Sequence, residues 1–136
     1  MFKPEAQATL PLRSENLDIL REALLMVTED SLGTARFNMR GLQFKVAGKT
    51  GTAESGSGQP HGWFAGYTLN EENTGLPDIA IAVIVENIGE GSDYAVPIFR
   101  YMVETYYYKN PGRFSYPNFT VGQPPYTPTP FGVPAP

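Results

Sequence analysis

Four consecutive residues, Lys49, Thr50, Gly51 and Thr52 in the run GKTGTAES, combine a fixed positive charge, two hydroxyls and a missing side chain. Such a set suits an anion: the ammonium supplies charge, the hydroxyls directional donors, and glycine lets a ligand approach the main chain. Spacing separates phosphate from carboxylate. A phosphate-cradling loop of the Gly-Lys-Thr type needs a glycine five residues before Gly48, where the chain has Gln43. It also needs the Lys-Thr pair to open a helix whose free amides hold the phosphate, and the following AESGSGQP cannot start one. The alternative places Lys49 to Thr52 on a strand at a sheet edge, where unpaired amides and carbonyls accept an extended peptide and the lysine draws its acidic end. On its own, Lys49 also fits an ordinary solvated edge lysine that discourages aggregation, and the two threonines suit any strand.

The elements that must position this run read clearly from the pattern. Leu17, Leu20, Ala23, Leu24 and Val27 recur at helical steps, Ser14 is placed to cap, and Glu15 and Asp18 suit the positive end of the dipole, so a helix is predicted from about Glu15 to Asp30, with Gly33 as its stop. Leu42 to Ala53 reads as a strand, ESGSGQPHG as a loop, and Trp63 to Leu69 as the returning strand of a hairpin. Ile79 to Asn87 is apolar at nearly every position, which predicts a central strand covered on both faces. From Asp93 to Tyr108, Ile98, Phe99, Met102, Val103 and Tyr106 return to helical spacing, with Pro97 tolerated in the first turn. The expected fold class is α+β, an antiparallel three-stranded sheet flanked by helices.

Composition bounds the rest. The chain has 136 residues, enough for one ordinary domain, and 10 basic against 14 acidic residues with no basic run, which argues against a nucleic-acid partner. There is no cysteine, so neither a disulfide framework nor a thiolate metal site is expected. The single histidine, His61, has no second ligand at metal spacing; it reads as a loop residue bordering the cleft, and neither metal nor cofactor is expected. The run Ile79 to Val85 has about a third of the length of a membrane span. From Asn110 onward, eight of the 13 prolines accompany a single charge, Arg113, so residues 110–136 are expected to form a Pro-rich extended or disordered tail after a globular part at 1–109.

The Lys-Thr-Gly box KTGTAE, Lys49 to Glu54, resembles the penicillin-binding proteins, the serine D,D-transpeptidases of peptidoglycan synthesis, which share their fold with serine β-lactamases. HGWFAGYTL, the segment IAVIVENIGEGSDYAVPIFRYMVETYY and the GTA of Gly33 to Ala35 extend the resemblance over roughly residues 4 to 108, nearer the monofunctional class B type than the bifunctional class. The family uses two further motifs, S-x-x-K and S-x-N. The residues three places before Lys45, Lys49 and Lys109 are Leu42, Val46 and Tyr106, so the chain holds no S-x-x-K. Ser14, Glu15 and Asn16 match S-x-N in letters, but the serine is better explained as a helix cap.

The resemblance therefore implies the C-terminal part of a transpeptidase domain that is inactive alone. It implies a proton-relay and electrostatic role for Lys49, carboxylate binding by Thr50 and Thr52 beside Gly51, and an oxyanion contact from the Thr52 amide. Implied partners are the N-terminal part of the domain, in the same protein or a separate chain, the peptidoglycan stem peptide and β-lactams. The implied location is the extracytoplasmic face of the bacterial cytoplasmic membrane, with the anchor outside this chain. A non-catalytic binding or scaffold module of the same fold is the alternative. A core this small should leave apolar surface uncovered and so promote self-association. Among the remaining polar groups, Glu86 is expected to close a buried strand as a structural group, Trp63, Phe64 and Tyr67 to pack or rim the sheet, and Gly66 to admit a helix.

Overall fold

The computed structural model describes residues 8–9, 11–56, 58–69 and 79–108. The tail expected at 110–136 lies outside them. Along the chain run α1 (Ser14–Glu29), α2 (Arg36–Met39), β1 (Lys45–Ala53), β2 (His61–Leu69), β3 (Ala80–Val85) and α3 (Gly91–Tyr108). The strands form one antiparallel sheet in the order β1-β2-β3. The expected α+β class, three antiparallel strands flanked by helices, is the observed one.

Alternation along the hairpin decides what each face does. Val46, Gly48, Phe64, Gly66 and Thr68 are buried, and Val83 continues the same face on β3. α3 lies against this face: Phe64 and Phe99 meet edge-on with ring centroids 4.8 Å apart, and Ala95, Val96 and Val103 complete a core shared with Ala35 and Met39. Glycine at 66 is needed for that approach, since a Cβ there would stand 2.9 Å from the Ala47 carbonyl oxygen and 3.1 Å from the Phe99 ring. The helix approach expected at Gly66 is thus made by α3.

Three expectations change. β3 is not central: it forms one margin of the described sheet, and its outward residues Ala80, Ala82 and Ile84 are exposed. An apolar run signals low polarity, not which face a helix covers, and among the described residues α3 alone packs on β3, on one face. Ser14 does not cap: Arg13 occupies the N-cap with extended backbone and its carbonyl accepts from the Asn16 and Leu17 amides, so Ser14 is already helical. α3 begins two residues earlier than expected, at Gly91, which moves Pro97 from the first turn into the second.

The buried face of α3 also differs. Met102 and Tyr106 are exposed, whereas Arg100 and Glu104 are buried at 1% and 2% exposure. The two charges neutralise each other through a 2.9 Å contact between Arg100 Nε and Glu104 Oε1, and Arg100 Nη1 donates to the carbonyls of Asn38 (2.5 Å) and Arg40 (2.8 Å). A helical ion pair thereby holds α3 to the C-terminal end of α2, a short helix not anticipated from the sequence.

Candidate functional site

Lys49 to Thr52 fall in the second half of β1, the strand at the sheet margin opposite β3. The nine-residue register with β2 runs one-to-one from Lys45 opposite Leu69 to Ala53 opposite His61, so the hydrogen-bonding direction alternates without interruption. The Thr68 amide donates to the Ile79 carbonyl towards β3, and Thr68 faces Val46; the polar main-chain groups of Val46 therefore point outward, away from β2. Gly48, Thr50 and Thr52 repeat that direction. Ala47, Lys49, Gly51 and Ala53 spend their amides and carbonyls on β2.

The outward margin is closed at one end and open at the other. Where it begins, α1 runs alongside, and the Thr28 hydroxyl donates to the Val46 carbonyl. α1 then stops at Glu29, with Asp30 at its C-cap and the Asp30 carboxylate accepting from the Leu32 amide at 2.8 Å. The chain turns back through Gly33 and Thr34, and the Thr34 hydroxyl meets that of Thr50 at 2.9 Å. Beyond this contact no described strand or helix pairs with β1, and the amides of Thr50 and Thr52 face a margin that an extended ligand can join.

Side chains frame this opening. Lys49 stands on the exposed face, and its ammonium curls over the margin to donate to the Thr50 carbonyl at 2.7 Å. Thr50 and Thr52 project to the other face. The Thr52 hydroxyl donates to Glu90 Oε2 at 3.1 Å, from the segment leading into α3. Gly51 sits between Lys49 and Ala53 on the exposed face, where a Cβ would lie 3.3 Å from Trp63 Cβ. One cation, two hydroxyls and two outward amides thus converge along about two residue pairs of strand, enough to grip a carboxylate and an adjacent carbonyl together.

The neighbouring polar residues hold the frame. His61 opens β2 instead of lying in the loop, and its Nδ1 accepts from the Asn87 amide at 3.0 Å. Asn87 takes a positive φ of 55°, and the amides of Ile88 and Gly89 both donate to the Pro60 carbonyl at 3.0 Å. Glu86 lies exposed in the turn after β3 and does not end a buried strand. Trp63 is 37% exposed on the open face, Tyr67 is half-buried on the same face, and Phe64 is core. Thr34 and Glu90 were not singled out from the sequence. Thr34 lies within the GTA stretch, which hinted at a role, whereas Glu90 carries no local signal and reaches Thr52 only through the turn from β3 to α3. Among the described residues, no group of three or more acidic, histidine or cysteine side chains could hold a metal ion, and no helix is long and apolar enough to cross a membrane.

A family model for the penicillin binding protein transpeptidase domain matches residues 1–104. Among solved structures, PBP2 of Pseudomonas aeruginosa in complex with WCK 5153 is 30% identical, with a TM-score of 0.64 over 78% of this chain and 23% of that one. PBP2 of Helicobacter pylori, solved in complex with MreC, is 29% identical, with a TM-score of 0.52 over 68% of this chain and 18% of that one. The chain thus spans about a quarter or less of these relatives. No curated protein matches.

Proposed function

The chain belongs to the penicillin-binding protein transpeptidase family, and from that premise we propose that β1 is the substrate-binding strand of a peptidoglycan D,D-transpeptidase that penicillin also acylates. The observation that carries this reading is the open half of the β1 margin, with the Lys49 ammonium and the Thr50 and Thr52 amides directed to it. A stem peptide ending in D-Ala-D-Ala lies along the margin, and its terminal carboxylate meets the hydroxyls of Thr50 and Thr52. The penultimate carbonyl oxygen then falls near the Thr52 amide, one donor for the oxyanion that forms when a serine hydroxyl attacks. The attack releases D-Ala, and an amine of a neighbouring stem displaces the serine to complete the cross-link.

The chain has no S-x-x-K, so the serine, its lysine and the second oxyanion donor come from polypeptide outside these residues. The chain is inactive without them. Lys49 acts as a proton-relay and electrostatic group for that serine machinery, and Gly51 keeps the strand slim between Lys49 and Trp63. The remainder of the domain, in the same protein or a separate chain, is the obligatory partner; stem peptides and β-lactams are the ligands. In its absence the open sheet face favours self-association. Activity belongs on the extracytoplasmic face of the bacterial cytoplasmic membrane, where the stem peptides are cross-linked.

Labelling by a fluorescent penicillin tests the proposal. The assembled transpeptidase should label at a serine outside this chain, the isolated chain should not label, and Lys49→Ala should slow labelling by about a hundredfold or more, as loss of a preorganised electrostatic group does. Labelling that is indifferent to Lys49→Ala would contradict it. Non-covalent capture of D-Ala-D-Ala peptides by the isolated chain, with no labelling of any assembly, would favour a binding module instead.

A further inference from the structure

A carboxylate already sits where the proposed ligand's carboxylate must go. Glu90 Oε2 accepts the Thr52 hydroxyl proton at 3.1 Å, and a threonine hydroxyl has only one proton to donate. The placement follows from the frame that holds residue 90. The amides of Ile88 and Gly89 both donate to the Pro60 carbonyl at 3.0 Å, and the Asp93 amide donates to the Glu90 carbonyl at 3.2 Å. Gly91 then presses against the hairpin so closely that a Cβ there would lie 2.3 Å from the Trp63 carbonyl oxygen and 2.5 Å from that of Gly51. The main chain at 90 is thereby pinned beside Thr52, while the Glu90 side chain is exposed and can rotate away without moving it.

We propose that Glu90 is a resident carboxylate that competes with the ligand's own carboxylate for the Thr52 hydroxyl and so lowers the affinity of the β1 margin for acidic ligands. The inference rests on the reading of β1 as the substrate strand. With no ligand, Glu90 satisfies Thr52. When a stem peptide or a penicillin arrives, its carboxylate must displace Glu90 and then tolerate a second negative charge a few ångströms away. Glu90 is thus a specificity-determining residue: it discriminates against monoanionic ends that bring nothing else to the margin and favours ligands whose remaining contacts offset the displacement.

The test is the second-order rate of acylation of the assembled transpeptidase by a fluorescent penicillin. Glu90→Gln keeps an acceptor for Thr52 but removes the charge, and should raise the rate about two- to fivefold at low salt, the effect of one exposed charge pair. The gain should shrink in 1 M salt, where screening acts within about 3 Å, and should be smaller in a Thr52→Val background, which removes the contested hydroxyl and leaves only the charge repulsion. Glu90→Ala should also accelerate acylation, and thermal melting of each variant reports that the fold is kept. An unchanged or slower rate in both Glu90 variants, with Lys49→Ala and Thr52→Val still slowing acylation, would overturn the inference and leave the strand assignment standing. If Lys49→Ala and Thr52→Val also had no effect, the strand assignment would fall and the inference with it.

Discussion

At the scale of single residues, the arrangement turns on which direction each group of β1 faces. Alternate residues give their main-chain groups to β2, and the others keep theirs for the margin, so the box divides its labour: Lys49 and Gly51 serve the ladder and the exposed face, Thr50 and Thr52 the margin. Glycine at 91 is as demanding as any residue of the box, because the first turn of α3 touches the hairpin main chain directly. Gly91→Ala should lower unfolding stability by about 1–3 kcal/mol, the usual range for overpacking, measured by denaturant unfolding; an unchanged midpoint would mean that α3 does not seat this closely. Lys49 to Thr52 stand out in the sequence as candidates because their types and order suit an anion. Glu90 does not, since an acidic residue in a turn looks like any solvated charge until the fold brings it to Thr52, 38 residues away.

At the scale of elements, the hairpin and both long helices could be read to within a few residues, because periods of 2 and 3.6 dominate those segments. The inward face of α3 could not be read in full. Charge normally marks a solvent face, and Arg100 and Glu104 are charged, yet the four-residue spacing lets each neutralise the other inside. Met102 and Tyr106, apolar by type, are left outside. Breaking this pair should therefore cost more than removing it whole. Arg100→Met alone leaves Glu104 buried without its cation and should cost about 3–5 kcal/mol. The double variant Arg100→Met with Glu104→Leu should regain a large part of that, the rest reflecting the Asn38 and Arg40 carbonyls that lose their donor. A double variant no more stable than the single one would show that the contacts to the α2 segment, and not the ion pair, hold α3.

At the scale of the whole molecule, α3 covers one face of the sheet, and among the described residues most of the other face is left open. Lys49, Trp63, Ala65, Ala82 and Ile84 share the other face, and Ile19, Leu20 and Met26 on α1, with Leu32 and Phe37 after it, add further exposed apolar surface. The continuous apolar pattern of residues 79–85 thus reads as a demand for two-sided cover that the described residues meet on one side. This is why the sequence suggested a central strand and the structure shows a margin: hydrophobic pattern reports the environment a segment requires, and topology reports the neighbours it has. An open β1 margin and an open face beside it are what the proposed function requires of a segment that works only when joined to the polypeptide bearing the serine. The most direct measurement is a crystal structure of the assembled transpeptidase acylated by a penicillin. The drug's carboxylate should lie against the hydroxyls of Thr50 and Thr52, with Glu90 turned away and the acyl carbonyl oxygen on the Thr52 amide. A drug bound along β3, or elsewhere with the β1 margin untouched, would contradict the reading of β1 as the substrate strand.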